Sequence, residues 1–397
     1  MIMHHKLRRI ALFHQGLTRK KPFGKGIQAT EKALQHLGYV QIDTLSVVER
    51  AHHHTLWTRI PDYQSKYLNK LVQERKAFEY WFHAASYLPI RDYQFALRKM
   101  AAIKSGESHY HSTVDPKCMR YVMDRIRGEG PLKARDFESA TSKNGKWWNW
   151  KPTKRALEKL FMQGDLMISS RDGMEKVYDL AENFLPEGVN TCEPSLAEFS
   201  EYLVRTSLNA NGFTTIKQLA HLRKGTSLRK KIHNILQQKI EQGEVAELSI
   251  DGMPPVYASI NALEAKIRLS GQRVRLLSPF DNAVIHRDRV QQLFGFDYRL
   301  ECYTVKEKRQ FGYFCLPVLY GDQLVGRVDC KAHRRMSLFE IIHLHVNDKV
   351  RDPECFIALF TQEVRRFAAF NGCHSVILSS VSPKKLESVV RKAFTTD

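Results

Sequence analysis

The stretch "LEKLFMQGDLMISSRDGMEKVYDL", residues 157–180, returns later in the chain as "LQQKIEQGEVAELSIDGMPPVYAS", residues 236–259. The two stretches align without a gap at a constant offset of 79 residues, and both contain an Asp-Gly pair, at 172–173 and at 251–252. In each, apolar residues at helical spacing end at a glycine, which favours the end of a helix. The Asp-Gly pair between two strand-like runs then predicts a β-hairpin. A helix followed by a hairpin is the second half of a winged helix.

The first half of such a unit precedes each copy of the repeat. "GPLKARDF" (130–137) and "GFTTIKQL" (212–219) both have the pattern of a turn that opens a helix. A basic helix follows in each case, within "WKPTKRALEKLF" (150–161) and "SLRKKIHNILQQKI" (227–240). In winged helices the third helix often enters the major groove of DNA. Units that contact only protein remain an open alternative.

Segments outside the repeat extend this architecture at both ends. "GIQATEKALQHLGYVQID" (26–43) and "YLNKLVQERKAFEYW" (67–81) each predict a helix followed by a strand, which indicates a looser third copy. Near the C-terminus, strand-like runs predict a small β-barrel or curled sheet, with a hairpin turn at Gly321-Asp322. These runs are "YRLECYTV" (298–305), "FGYFCLPVLYGDQLVGRVDCKA" (311–332) and "LFEIIHLHV" (338–346). The chain returns to helix in "CFIALFTQEVRRFAAF".

These patterns predict an α+β protein of tandem winged-helix domains followed by a C-terminal β-barrel or curled sheet with terminal helices. The expected domains are 1–112, 113–190, 191–262 and 263–397. We expect them to pack rigidly, because no low-complexity linker separates them.

Charge indicates the kind of partner. Lys and Arg number 62 against 42 acidic residues, for a net charge of +20 and an isoelectric point near 9.6. Such a surplus attracts polyanions. Nucleic acid is the main expectation, while an acidic membrane, a ribosomal surface or a basic surface without a partner stay open. The seven scattered cysteines include no C-x-x-C pair, which is typical of a reduced, cytoplasmic chain.

An amide and a carboxylate stand two residues apart in "YVQID", residues 39–43. In an extended backbone, Gln41 and Asp43 share one face while Val40 and Ile42 point to the other. Asp43 is also a good N-cap for a helix through the following residues. Both interpretations are compatible with the local sequence.

A histidine triplet, His52 to His54, invites a metal interpretation. Consecutive residues on a helix fan out by about 100°, however, whereas zinc ligands on a helix need spacings of four. Contact of one of these histidines with a phosphate or a base is therefore preferred. Cys330-x-x-His333 lacks a second ligand pair, so no metal or cofactor is expected.

Several motifs recur in the order found in one family. "YVQID", "SVVERAHHHTLWTRIP", "FEYWFHAASYLP", "WWNWKPTKRALEKLF" and "LLSPFDN" resemble the bacterial winged-helix DNA glycosylases of the YcaQ/AlkX and AlkZ type. The resemblance runs over nearly the whole chain. It implies a C-shaped basic cradle around duplex DNA and a catalytic Gln-apolar-Asp motif, which is Gln41-Ile42-Asp43 here, the form of the YcaQ/AlkX branch.

That branch implies excision of cationic N7-alkylguanine and unhooking of interstrand crosslinks. We expect a monofunctional, monomeric glycosylase acting on double-stranded DNA in base excision repair, without cofactor or lyase activity. A non-enzymatic winged-helix regulator and a nuclease are the competing hypotheses. The predicted DNA-binding residues lie in or beside the motifs, a recognition helix or the C-terminal hairpins: His52, His53, His54, Arg59, Lys154, Arg155, Lys308, Arg309, Arg327 and Lys331.

Overall fold

The computed structural model of the chain describes residues 2–108, 113–137, 150–223, 225–269, 271–348 and 350–395. An N-terminal helix, α1 (Ile2–His14), precedes three units that share one order of elements. Each unit runs helix, short strand, one or two helical segments, then a two-stranded hairpin whose last strand lies in the middle of a three-stranded sheet.

The first unit carries the "YVQID" segment. Its sheet has the order β1-β3-β2, and β1 pairs antiparallel with β3 so that Gln41 lies opposite Ser86. A 3-10 turn at Ile90–Asp92 and helix α5 (Gln94–Lys104) lead to the next unit. The elements of the first unit are α2 (Gly26–Leu37), β1 (Val40–Gln41), α3 (Ala51–Trp57), α4 (Ser65–Gln73), β2 (Ala77–Trp81) and β3 (Ala85–Pro89).

The second unit contains the first copy of the repeat. Its sheet has the order β4-β6-β5, and the hairpin turns at Gly173, whose φ is 62°. Residues 138–149, which hold most of the "WWNW" motif, lie outside the described residues. The elements are α6 (Pro116–Glu129), β4 (Leu132–Lys133), a 3-10 helix (Ala134–Phe137), α7 (Trp150–Met162), β5 (Leu166–Asp172), β6 (Glu175–Leu180) and α8 (Ala181–Phe184).

The third unit contains the second copy, and its sheet has the order β7-β9-β8. Its elements are α9 (Leu196–Asn211), β7 (Phe213–Thr214), α10 (Ile216–Leu219), α11 (Thr226–Glu241), β8 (Val245–Leu248), β9 (Val256–Ser259) and α12 (Ile260–Glu264). The predicted helix followed by a hairpin is thus confirmed for both copies. The N-terminal segments also show the predicted helix-to-strand passages.

The C-terminal part is built on one six-stranded sheet. Four strands follow the path β10-β11-β12-β13, and both β14 and β15 pair parallel with β13. The hairpin at Gly321-Asp322 is present, since Tyr320 pairs with Gln323. The elements are β10 (Val274–Leu276), α13 (Arg287–Phe294), β11 (Cys315–Tyr320), β12 (Gln323–His333), β13 (Leu338–Val346), α14 (Pro353–Phe370), β14 (Ser375–Leu378), β15 (Val381–Ser382) and α15 (Glu387–Thr395).

Of the two expected forms of the C-terminal sheet, the β-barrel is wrong for the described residues. The sheet is open, with β10 at one edge and β14 with β15 at the other. Helix α14 contacts both β10 and β14 and buries Phe356, Phe360 and Phe367. A helix therefore covers the face that a further curl of the sheet would have covered. The predicted strand at 298–305 is also wrong, because that segment forms turns and irregular structure.

Buried polar contacts join the first two units. The Glu79 carboxylate on β2 accepts from Arg171 Nε at 2.8 Å and Nη2 at 2.7 Å, and Glu79 is almost fully buried. The Tyr80 hydroxyl donates to the Met162 carbonyl at 2.6 Å. One hydrophobic core runs through both units into the C-terminal sheet. Strand β1 is thus set in a large, continuous framework.

Candidate active site

The side chains of "YVQID" alternate as an extended backbone requires. Val40 and Ile42 are buried in the core, while Gln41 and Asp43 are half-buried on the opposite face. The Ile42 amide still donates to the Ala85 carbonyl at 2.8 Å, so the strand-like path continues past Gln41. The Gln41 amide and the Asp43 carboxylate are therefore both half-buried where β1 ends, two residues apart.

Gln41 is oriented by a histidine on the β2–β3 turn. His83 Nε2 lies 3.1 Å from Gln41 Oε1. Burial first, and then the positive charges of His221 and Arg223, lower the pKa of His83 to about 3, so its ring is neutral at ordinary pH. Because an amide oxygen only accepts hydrogen bonds, Nε2 carries the hydrogen in this pairing. The Gln41 NH2 group is then left to donate to another acceptor.

Asp43 closes a local turn. Its Oδ2 accepts from the Leu45 amide at 3.1 Å. Helix α3 begins only at Ala51 with Arg50 at its N-cap, so the expectation that Asp43 caps a helix is wrong. Burial raises the pKa of the Asp43 carboxyl above its ordinary value, while backbone N–H groups of Leu45 and Thr44 act in the opposite direction. The site thus holds a partly desolvated carboxylate beside an oriented amide.

Helix α3 supports this site from inside the protein. His54 Nε2 donates to the Leu276 carbonyl at 2.8 Å, and burial lowers the pKa of His54 to about 4. His53 Nδ1 lies 2.8 Å from the Tyr63 hydroxyl, and the His52 ring is 5.5 Å from that of Tyr87. All three histidines are buried. Their placement contradicts the prediction that the triplet faces DNA.

The buried Arg59 binds the "LLSPFDN" segment. Its guanidinium donates to Asp281 Oδ2 at 2.7 Å and Oδ1 at 2.8 Å, with both side chains fully buried. The next residue, Asn282, donates from Nδ2 to the Tyr39 carbonyl at 3.0 Å, directly before β1. Arg59 is therefore part of the support behind Gln41, and the prediction that it contacts phosphate is contradicted.

The remaining predicted DNA-binding residues divide by exposure. Arg327 is buried, donates to the Asp297 carbonyl at 2.7 Å and stacks 3.7 Å from the Phe311 ring centroid, which contradicts its predicted role. Arg309 is half-buried and donates to the Thr304 carbonyl at 2.9 Å. Four residues expose their side chains and remain predicted contacts: Lys154, Arg155, Lys308 and Lys331.

Sequence reasoning missed a group of three histidines, of which His83 contacts Gln41. The ring centroids of His83 and His221 are 5.3 Å apart, and His286 lies 4.9 Å beyond His221. They border a cavity of about 50 Å³, which the stacked rings of Tyr39 and Phe82 also line. The motif "FEYWFHAASYLP" contains His83, but nothing in its local sequence indicates a partner 42 residues earlier.

Within the ranges given above, no group of three or more His, Cys, Asp or Glu side chains could hold a metal ion. Among the helices formed by the same residues, none is long and apolar enough to span a bilayer.

Comparison with known proteins gives a family match and a likeness to solved structures. Residues 34–370 match the sequence profile of the family described as DNA glycosylase AlkZ-like. The structure of the DNA glycosylase AlkZ from Streptomyces sahachiroi is similar over 95% of this chain and 99% of that chain, with a TM-score of 0.64. The two sequences are 14% identical, so this likeness concerns the mixed α+β fold.

Proposed function

The chain belongs to the AlkZ-like family of DNA glycosylases, and on that premise we propose that Gln41 and Asp43 catalyse hydrolysis of the N-glycosidic bond of N7-alkylguanine in double-stranded DNA. The observation that carries the proposal is the placement of an oriented amide, at the end of β1, two residues before a partly desolvated carboxylate. Family membership also removes the reason to prefer a non-enzymatic regulator. We interpret the three helix–strand–hairpin units as winged helices.

The proposed chemistry begins with the leaving group. An N7-alkylguanine already carries positive charge, so the base departs without a strong general acid. Positive charge then develops on the deoxyribose, as in glycoside hydrolysis. The Asp43 carboxylate stabilises that charge and orients or deprotonates the attacking water.

Gln41 has a positioning task in this scheme. His83 donates to the Gln41 carbonyl oxygen, which leaves the NH2 group to hold the water oxygen beside Asp43. In the described part of the chain, the groups that hydrogen-bond to the two side chains are the His83 ring and backbone amides. None is the primary amine that a Schiff-base lyase step requires, which supports a monofunctional hydrolase.

Interstrand crosslinks are the second proposed substrate. The cavity beside His83 holds about 50 Å³, whereas pockets that bury small ligands measure roughly 300 Å³ or more. A cavity of this size cannot take in a whole base, which suits a base that is tied to the opposite strand and cannot be withdrawn. We therefore propose excision with partial distortion of the duplex instead of complete extrusion of the nucleotide.

The test is single-turnover release of N7-methylguanine, and unhooking of a site-specific crosslink, by Asp43→Asn. Asparagine keeps the shape and can still accept from Leu45 but has no charge. We expect excision to fall by about 100-fold or more, because electrostatic stabilisation of this kind is worth about 3 kcal/mol. DNA affinity and melting temperature should be retained, and Gln41→Ala should be milder.

Asp92→Asn is the matched control. Burial raises the pKa of Asp92 to about 6, and this residue lies in the 3-10 turn after β3, six residues beyond the Ser86 that pairs with Gln41. The Asp92→Asn variant should excise at the wild-type rate. If Asp43→Asn also cleaves at the wild-type rate, Asp43 only closes the turn at Leu45. If wild type releases no N7-methylguanine, the proposed substrate is wrong.

A further inference from the structure

Two large apolar side chains near the site have no role in the chemistry described above. Leu222 is 73% exposed and Tyr303 is 82% exposed. Single exposed apolar residues are common and usually need no explanation. These two differ because each is carried by a braced loop, and the two loops reach the Gln41–Asp43 pair from different elements.

Leu222 lies between α10 and α11 and has a left-handed backbone, with a φ of 54°. Bulky residues rarely adopt this conformation, and such strain is concentrated at functional positions. Arg223 holds the loop by donating to the carbonyls of His221 and Phe82, each at 3.2 Å. Its guanidinium also lies 4.6 Å from the Phe82 ring centroid. The loop is thus fastened to the turn whose next residue, His83, orients Gln41.

Tyr303 lies in the loop formed by residues 301–312. The Glu301 carboxylate accepts from the amides of three residues at the far end of this loop, at distances between 2.9 and 3.1 Å. Val305, 59% exposed, and the exposed Lys306 and Lys308 share this loop with Tyr303. A braced loop that presents apolar and basic side chains together suits a nucleic acid, which offers base faces and phosphates.

The Tyr303 loop is joined through β12 to the segment that follows Asp43. The Tyr313 and Phe314 amides, directly after the loop, donate to Asp329 on β12, and the Ala332 amide on the same strand donates to the Val47 carbonyl at 2.9 Å. The pKa of the Tyr303 phenol is raised first by partial burial and then by the charges of Cys302 and Asp43. The same carboxylate also raises the pKa of the Cys302 thiol, after burial. Leu222 therefore stands on the Gln41 side of the pair, and Tyr303 stands on the Asp43 side.

We propose that Leu222 and Tyr303 enter damaged duplex DNA on the two sides of the target nucleotide. Leu222 acts as an apolar wedge between stacked base pairs, and the Tyr303 ring stacks on a base that the wedge has exposed. Opening the stack from both sides brings the glycosidic bond to Asp43 although the neighbouring cavity is small. This inference rests on the proposed function, because it takes the lesion-containing duplex as the ligand.

The experiment uses the full-length chain with Asp43→Asn, so that the lesion persists. A duplex with one N7-methylguanine carries 2-aminopurine as the neighbouring nucleotide, and its fluorescence rises when the base unstacks. We expect binding of this parent to raise the fluorescence several-fold. Adding Leu222→Ala or Tyr303→Ala should remove at least half of the rise with little change in affinity, and adding both should remove nearly all of it.

Three variants test whether a lost fluorescence rise has a cause other than the loss of the wedge or of the stacking ring. Val389→Ala removes an exposed apolar side chain on α15 and should leave the signal unchanged. Tyr303→Phe keeps the ring and should retain the signal. Leu222→Gly relieves the left-handed backbone, so it should melt no lower than the parent and yet lose the signal.

The outcomes separate this inference from the proposed function. A full fluorescence rise in the Leu222→Ala/Tyr303→Ala double variant, or an equal loss in Val389→Ala, overturns the wedge. Excision by the wild-type protein without any rise in the parent also overturns the wedge and leaves the glycosylase standing. A rise that depends on both residues, without excision by wild type, supports the wedge as a DNA contact and overturns the proposed reaction.

Discussion

Asp43 is a carboxylate whose ionisation is opposed by its surroundings. Burial raises its pKa above the ordinary aspartate value of 3.8. If the ionised form performs the chemistry, excision should fall as the pH falls, with a midpoint above 3.8. A single-turnover pH profile measures this midpoint. A rate that stays constant down through the ordinary value would contradict the assigned role.

The raised pKa of Asp43 also determines whether its ionisation stabilises or destabilises the fold. The folded state holds the Asp43 proton more tightly than the unfolded chain does, so ionisation of Asp43 disfavours folding as the pH rises through its raised pKa. Asp43→Asn should therefore unfold at the same temperature as wild type or a higher one at neutral pH. The difference should disappear at acid pH.

Removal of Arg59, in contrast, should destabilise the fold. Arg59→Ala leaves Asp281 charged and buried without its partner, which costs about 3–5 kcal/mol of unfolding free energy. Urea unfolding measures this loss, and the Arg59→Ala/Asp281→Ala double variant should recover part of it. The salt dependence of DNA binding should not change. A stable variant with weaker salt dependence would restore Arg59 as a phosphate contact.

Asp43 and Arg59 show what the local sequence could and could not predict. The alternation around Gln41 and Asp43 has period two, so it depends only on neighbouring residues and was correctly predicted. The burial of Arg59 depends on a partner 222 residues away, which no local pattern encodes. The positive charge of Arg59 in a basic protein therefore indicated a DNA contact, although its partner, Asp281, lies inside the core.

Helix α3 carries three neutral, buried histidines. Burial lowers the pKa of His53 to about 3 and that of His54 to about 4, and lowers that of His52 well below 6.5. Between pH 6.5 and 4 the unfolded chain binds these protons and the folded chain does not, so stability should fall as the pH falls. Each proton contributes a slope of up to about 1.4 kcal/mol per pH unit.

Melting temperature against pH is the measurement for α3. His54→Gln keeps a donor for the Leu276 carbonyl but cannot titrate, so its curve should be flatter than that of wild type. His4→Gln, a change in α1, is the matched control and should leave the curve unchanged. Equal slopes in wild type and His54→Gln would contradict the buried, neutral state of this histidine.

The hairpins were predictable because their turns are local. An Asp-Gly pair requires only neighbouring strand-like residues, and the turns at Gly173, Gly252 and Gly321 all have positive φ. The shape of the C-terminal sheet was not predictable in this way. Whether its edges meet depends on where α14 packs, and strand propensity in "YRLECYTV" was overridden by the loop that Glu301 closes.

For the whole molecule, the prediction concerns the salt dependence of DNA binding. The exposed Lys154, Arg155, Lys308 and Lys331 remain the expected phosphate contacts, whereas the buried Arg327 does not. Replacing each true contact by alanine should reduce the slope of log affinity against log salt by about 0.9. Lys385→Ala, an exposed change beside α15, is the control. Four unchanged slopes would place the DNA on another face.

The contact between Asn282 and the Tyr39 carbonyl has a consequence for the chain while it is being made. Gln41 and Asp43 leave the ribosome early, but Asn282, which holds the backbone directly before them, is translated about 240 positions later. A truncated or prematurely terminated product that stops before Asp281 has the pair without its support. Such a product should be inert toward intact guanine as well as toward lesions. Synthesis errors would then yield harmless fragments instead of enzymes that scatter abasic sites through the genome.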